Sequence, residues 1–425
     1  MGVLHSLLGM AVLIAIAVLL SSSRKAINLR TVAGAFLIQV ALGALVLYVP
    51  WGRDGLLGIS EAVDNVIAYG NDGVAFLFGG LVSDQMFEVF GGGGFVFAFR
   101  VLPMIVFFSS LMAVLYYIGV MQLLIKLIGG FLQKILGTSK TESMSAAANI
   151  FVGQTEAPLV VRPYIRTMTE SELFAIMSGG LASVAGSVLA GYAQMGVPLP
   201  YLIAASFMAA PGGLLFAKLL VPETGKKPEV TEVEEDTETE KPANVIDAAA
   251  GGAVTGAQIA FAVGASLLAF VALIALINGM IGGVAGWFGY EDVTLQGILG
   301  VLFAPLAWVI GIPWQEAGVA GSLIGQKLVV NEFVAYAEFV KYLTPESAVQ
   351  LSSHTQAIIS FALCGFANLG SIAVLVGGLS IMAPNRRHDV ARLGFKAMIA
   401  GSLSNLMSAV IAGMFISLSG VPPLG

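Results

Sequence analysis

The stretch Asn149-Ile-Phe-Val-Gly-Gln-Thr-Glu-Ala-Pro158 sets Gln154, Thr155 and Glu156 side by side in a mostly apolar chain. A carboxylate at bilayer depth costs about 2.5–3.5 kcal/mol on insertion scales, so it is kept where it faces a cavity or a partner. Gln154 offers a donor and an acceptor, Thr155 a hydroxyl, and Glu156 two acceptors when ionised. That set suits the edge of an amide-like heterocycle. A second polar group is Asn331-Glu332, inside Val-Val-Asn-Glu-Phe-Val-Ala-Tyr336, and a third is Cys364-Gly-Phe366-Ala-Asn368-Leu-Gly-Ser371. Glu332 with Asn368 and Ser371 suits vicinal hydroxyls, and Phe366 could lie against a flat ring. No positive charge is read near either tip, which points to a neutral, flat, hydroxylated solute.

Elements that reach the middle of a membrane must position these residues. The 425-residue chain is 57% hydrophobic and 11% charged, with a mean hydropathy of +0.90. Soluble domains hold about 45–50% apolar and about 25% charged residues, so the chain reads as a polytopic membrane protein. Apolar runs long enough to cross lie at 3–21, 32–50, 95–119, 173–196, 200–221, 256–281, 356–383 and 393–418. Val3 to Leu20 is followed, not preceded, by Arg24, Lys25 and Arg30, so it reads as a first span and not as a signal peptide. With the N- and C-termini outside, all of the 20 Lys and Arg except Arg53, Arg100, Lys327 and Lys341 fall on the inner side, as the positive-inside rule asks.

Between the spans, Gly52 to Gly94 is polar and glycine-rich and reads as an outer segment with short helices. Gln122 to Gly137 repeats apolar residues at helical spacing, with Lys126 and Lys134 elsewhere, and reads as an interfacial helix. Glu223 to Lys241 is Glu/Thr-rich without periodicity and reads as a solvated linker. Residues 141–170 and 313–345 each return to the side they left, and their arms are too short to cross. Both read as re-entrant hairpins, entering from opposite faces. Irregular backbone at that depth is tolerated only where it is buried in protein or lines a cavity. Each hairpin is followed by a span interrupted by Gly, Ser or Asn, and then by one more span. The order of elements makes an inverted repeat, a recurrent plan of secondary transporters with sites at the repeat interface.

The fold class expected is therefore an all-α polytopic membrane protein. It has about eight transmembrane helices plus two re-entrant helical hairpins in an inverted repeat, with interfacial helices. The division reads as scaffold helices at 1–140, a first transport unit at 141–221, an acidic linker at 222–250, a scaffold span and interfacial helix at 251–312, and a second transport unit at 313–425. His5, His354 and His388 are too scattered for a metal site, and the lone Cys364 rules out an internal disulfide. No basic patch suggests nucleic acid. An intramembrane enzyme would need a nucleophile–base pair or a metal cluster, and none is read. A passive channel leaves two dissimilar polar clusters unexplained.

Gly-Gln-Thr-Glu-Ala-Pro158, then Asn331-Glu-Phe-Val-Ala335, then Cys364-Gly-Phe-Ala-Asn368 with Ser371 just after, resemble the concentrative nucleoside transporters. The resemblance covers nearly the whole chain. It implies a homotrimeric, cation-coupled symporter of a bacterial inner membrane, in which transport domains move like elevators against a central scaffold. The partners it implies are a nucleoside such as uridine and the lipid bilayer, with no organic cofactor. By the same resemblance Gln154, Thr155 and Glu156 would read the nucleobase, with Val188 and Phe366 packed on it. Glu332, Asn368 and Ser371 would hold the ribose. A sodium site would use the Asn149 and Ser183 side chains and carbonyls near Val152 and Val184. That oxygen-only, uncharged shell suits a hard monovalent cation, although some members of the family use protons. Purine and pyrimidine nucleosides are not distinguished.

Overall fold

The computed structural model describes residues 2–90, 94–225, 242–290, 293–344, 347 and 349–419. Most of the acidic linker, 226–241, and Pro345 lie outside the described residues. The described chain is helical throughout. It opens with α1 (Val3–Leu19), α2 (Leu29–Leu47), α3 (Pro50–Phe78), the short α4 (Gln85–Phe90) and α5 (Phe97–Arg100), α6 (Leu102–Tyr117) and α7 (Val120–Leu136). The first re-entrant unit follows as α8 (Lys140–Ala148), α9 (Arg162–Ile165), α10 (Glu170–Ala182), α11 (Gly186–Gln194) and α12 (Leu199–Leu220). After α13 (Val245–Gly286) and α14 (Leu295–Val309), the second unit comprises α15 (Trp314–Val329), α16 (Glu332–Phe339), α17 (Ser353–Leu363), α18 (Leu369–Met382) and α19 (Arg387–Ser419).

Short polar side chains start the helices that shape the two units. Ser139 with Glu142 opens α8, and Thr169 with Glu172 opens α10, each as a reciprocal capping box. The side chains of Asn331, Ser352 and Asn368 accept backbone N–H groups at the starts of α16, α17 and α18. Each such cap is worth about 1 kcal/mol. The caps fix where helical backbone stops, and so where the polar tips and breaks fall.

The α10–α11 pair, α12 and α19 form the centre, with 94% of their most apolar windows enclosed by protein. By contrast α3 and α13 have only 17% and 11% of theirs enclosed, and present long apolar faces outward. α13 lies along α6, where Gly252 and Gly256 meet the Ser109–Ser110 backbone and Val106 closely enough that a β-carbon would not fit. Small residues at such contacts let membrane helices approach without a side chain between them. α1 and α2 pack on α19 and α12. The sequence division groups them with α6 and α13 instead.

Three elements differ from the sequence reading. The 52–94 segment is not a set of short helices only: α3 runs unbroken for 29 residues from Pro50. None of its glycines breaks the helix, and two of them, Gly52 and Gly70, serve as contact surface. Gly52 lies on the Leu45 backbone, and a β-carbon on Gly70 would stand 2.7 Å from Met104 Sδ and from Phe107. Second, the return arm of the first hairpin is a 3-10 turn at Ala157–Val161 followed by the short α9. Pro158 and Pro163 withhold two N–H groups there, so a regular α-helix cannot form. Third, α13 begins at Val245 and reaches 42 residues, well before the expected span. The interfacial helix 122–137 and both broken spans fall where the sequence places them, the latter as α10–α11 and α17–α18.

Candidate functional site

Four interruptions of helical backbone meet at one place. Two are hairpin tips, at 149–156 and 330–331, and two are breaks, at Ser183–Ala185 and Cys364–Asn368. Backbone hydrogen bonds tie three of them together. The Gly186 N–H, at the start of α11, donates to Phe151 O at 2.9 Å, joining the first tip to the first break. The Phe366 N–H donates to Ser183 O at 3.1 Å, joining the two breaks to each other. Free backbone groups at half-helix ends need partners, and here they find each other. The fourth interruption is joined by side chains: Asn368 Nδ2 donates to Glu332 Oε2 at 3.0 Å.

At the first tip, Glu156 Oε2 accepts the Gly153 N–H at 3.2 Å, which turns the carboxylate back over the loop. A β-carbon on Gly153 would stand 3.9 Å from both Glu156 Oε2 and the Phe366 ring, so the ring edges the same spot. Gln154 is buried and leans on Gly180 of α10, and its Oε1 has no hydrogen-bond partner among the described residues. Thr155 lies against Gly378 of α18, where a β-carbon would come within 2.9 Å of its methyl. Val188 is buried on the first turn of α11, beside the break.

Asn149 is the last residue of the α8 turn and is 1% exposed, yet neither of its side-chain amide atoms has a partner among the described residues. It leans on Gly179, one residue before Gly180, whose carbonyl accepts the Ser183 hydroxyl at 3.3 Å. Val152 and Val184 are buried on either side. An unpartnered buried amide costs about 1–3 kcal/mol, so this side chain is held open at the expense of stability. The oxygens near it are neutral, which fits a monovalent cation. Among the described residues, no cluster of three or more His, Cys, Asp or Glu forms.

At the second tip, Glu332 is fully engaged. Asn368 donates to one carboxylate oxygen and the Tyr192 hydroxyl donates to the other at 3.1 Å. Asn368 Oδ1 meanwhile accepts the Ser371 N–H at 2.8 Å, so one side chain caps α18 and orients the carboxylate. Around Tyr192, Phe333 packs edge-on and Tyr336 at a tilt, with ring centroids 4.8 Å and 4.6 Å away, closing the apolar side. The expected site residues therefore fall into two adjoining groups, one on the first unit and one on the second.

Three residues escaped the sequence reading. Tyr192 is one. Lys327 and Asn405 are the others, both buried beneath the second break. The reading that no positive charge lies near the tips gives way at Lys327, whose ammonium is turned onto protein oxygens and not toward the tips' open groups. A lysine a few residues before the second tip, in a helix that also carries Gln315, Glu316 and Gln326, gave only a weak signal. Away from the tips, a buried Lys218–Glu142 ion pair, with Ser171 also accepting from Lys218, ties the base of the first hairpin to α12 and α10.

Comparison with known proteins accounts for this arrangement. Residues 8–81 and 201–413 match the patterns described as the N-terminus and C-terminus of Na+ dependent nucleoside transporters, and residues 98–199 match one described as a nucleoside recognition gate. An uncharacterized transporter of Haemophilus influenzae is 65% identical over 98% of this chain and 99% of its own length. The nucleoside permease NupC of Helicobacter pylori is 56% identical over 98% of each. The solved structure of CNTnw in an inward-facing substrate-bound state superposes with a TM-score of 0.96 at 82% identity, covering 100% of both chains, and a variant of CNTnw in an outward-facing state also reaches 0.96. On these matches, and on a fold of paired tips and breaks, the chain belongs to the Na+-dependent, or concentrative, nucleoside transporter family, and is a multi-pass membrane transporter of nucleosides and not an enzyme.

Proposed function

We propose that the chain imports nucleosides such as uridine across a bacterial inner membrane, driven by an inward sodium gradient. The observation that carries this is the pair of adjoining groups at the convergence of tips and breaks. Buried, unpartnered amide atoms on Asn149 and Gln154 stand beside a carboxylate, Glu332, held in a fixed orientation. In this reading Gln154, Thr155 and Glu156 read the base, with Val188 and Phe366 against it. Glu332, Asn368 and Ser371 take the ribose hydroxyls. Sodium binds between Asn149 and Ser183 with carbonyls near Val152 and Val184, and orders the first tip. By linkage, the ion then raises nucleoside affinity as much as the nucleoside raises ion affinity.

The loaded unit moves across the membrane as a body. Both termini lie outside, and three copies assemble through outward apolar faces such as those of α3 and α13. The packing of α1 and α2 on α12 and α19 supports carrying them with the moving unit. In proteoliposomes, an inward sodium gradient is expected to accumulate uridine above equilibrium. Accumulation under a proton gradient and not a sodium gradient would replace the coupling ion. Accumulation under neither would remove the symport reading.

A further inference from the structure

Beneath the nucleoside half-site the second unit keeps a charge of its own. Lys327 lies in the last turn of α15 and is 2% exposed. Its ammonium donates to Ala362 O at 2.9 Å, in the last turn of α17, and to Asn405 Oδ1 at 2.7 Å. The Asn405 amide nitrogen in turn donates to Cys364 O at 2.8 Å and to Ala182 O at 2.6 Å. These carbonyls end α17 and α10, the first halves of the two broken helices. Such ends carry partial negative charge and orphan acceptors. Here one ammonium and one carboxamide satisfy them. Gly365 lies so close to the Asn405 side chain that no β-carbon fits. The first unit is finished differently, since both amide atoms of Asn149 have no partner among the described residues.

We infer that Lys327 is a tethered cation. In the second unit its ammonium permanently holds the end of the broken helix, the task that a cation from solution performs in the first unit only while bound. The inference rests on the cation-coupled reading above and adds to it. Asn368 and Ser371 follow the break that Lys327 secures, so the ribose half-site is positioned before any solute arrives. Asn405 passes the same hold to Ala182, next to Ser183, so the fixed cation braces the break where the mobile one binds. The place for a second mobile cation is already taken, and one sodium accompanies each nucleoside. Lys327 touches no solute. It is a positioning residue that acts through Ala362, Asn405 and the break.

Lys327→Met keeps the length of the side chain without charge or donors, and Lys327→Gln keeps a donor without charge. Uridine binding to the purified, assembled variants is to be measured by calorimetry in sodium and in choline, beside thermal unfolding. The dissociation constant in saturating sodium is expected to rise about tenfold or more in both variants, the scale of a lost charge-assisted bond. The sodium concentration for half-maximal effect is expected to move far less. A purely structural lysine would lower thermal stability and leave the dissociation constant of the folded protein unchanged, which overturns the inference. Native affinity in Lys327→Gln alone overturns the role of charge. Should neither variant fold, the wild type decides: labelled sodium and uridine fluxes in a ratio of one support the tethered cation, and a ratio of two overturns it. Loss of all sodium dependence in the wild type would instead sink the coupling reading, and the variants' uridine affinities would still test whether the ammonium positions the ribose half-site.

Discussion

In the first re-entrant unit the side-chain amide of Asn149 and the amide oxygen of Gln154 have no hydrogen-bond partner among the described residues, whereas in the second both oxygens of Glu332 are paired, with Asn368 and with Tyr192. Both units have the same parts: a hairpin tip, a break in the next helix, and capping side chains that end the helical backbone. They differ in who completes them. The second unit is finished by the chain itself, through Tyr192, Asn368, Lys327 and Asn405. The first is left with buried amide atoms that no described residue pairs. The comparison teaches that an inverted repeat need not be symmetric in rigidity. One half can have its polar groups held by the chain while the other keeps some of them open.

Substitutions can break this contrast. Glu332→Ala removes the acceptor of the rigid half. Two charge-assisted hydrogen bonds at about 1.5–3 kcal/mol each are lost, so the uridine dissociation constant should rise beyond about 100-fold while the protein still assembles. Native uptake by that variant would take Glu332 out of the site. Asn149→Ala strikes the waiting half. The sodium concentration for half-maximal uptake should rise about tenfold, with the dissociation constant in saturating sodium nearly preserved. An equal loss at all sodium concentrations would show that Asn149 serves the solute and not the ion.

Gly365→Ala forces a methyl onto the Asn405 side chain and should cost about 1–3 kcal/mol of stability, as overpacking does. Its melting temperature is the readout, and an unchanged value would mean that the contact is slack. The smallest effect is expected from Tyr192→Phe. One of the bonds that orient Glu332 goes while the carboxylate itself stays, so uridine affinity should fall only a few-fold. No change there would assign the orientation of Glu332 to Asn368 alone.

Much of this was legible in the sequence because polar residues at membrane depth are conspicuous. Gln154–Glu156, Glu332 and Asn368 announced themselves by cost, and Gly and Pro beside them announced the interruptions. The broken spans were visible as Ser183 and Cys364–Asn368 within apolar runs. The supporting partners were not visible, because their meaning lies in distance. Asn405 reaches a carbonyl 223 residues away and Lys327 reaches Asn405 across 78. Tyr192 meets Glu332 across 140. Each reads as an ordinary residue until the fold brings the pair together. Local reading also failed at α3, where glycine allows close packing as readily as it breaks a helix. At the return arm of the first hairpin, Pro158 and Pro163 stand at the second positions of a 3-10 turn and a short helix, which a count of residues per arm does not register.

The bond from the Phe366 N–H to Ser183 O belongs to no side chain. Its donor and acceptor are present whatever amino acid except proline stands at 366, and whatever stands at 183. A scan by alanine substitution would pass over both positions and leave the joint between the two breaks intact. Only an edit of the main chain itself, such as an ester in place of the amide at 366, would erase it. One contact between the two breaks is thus one that mutation, and by the same token sequence variation, can scarcely register.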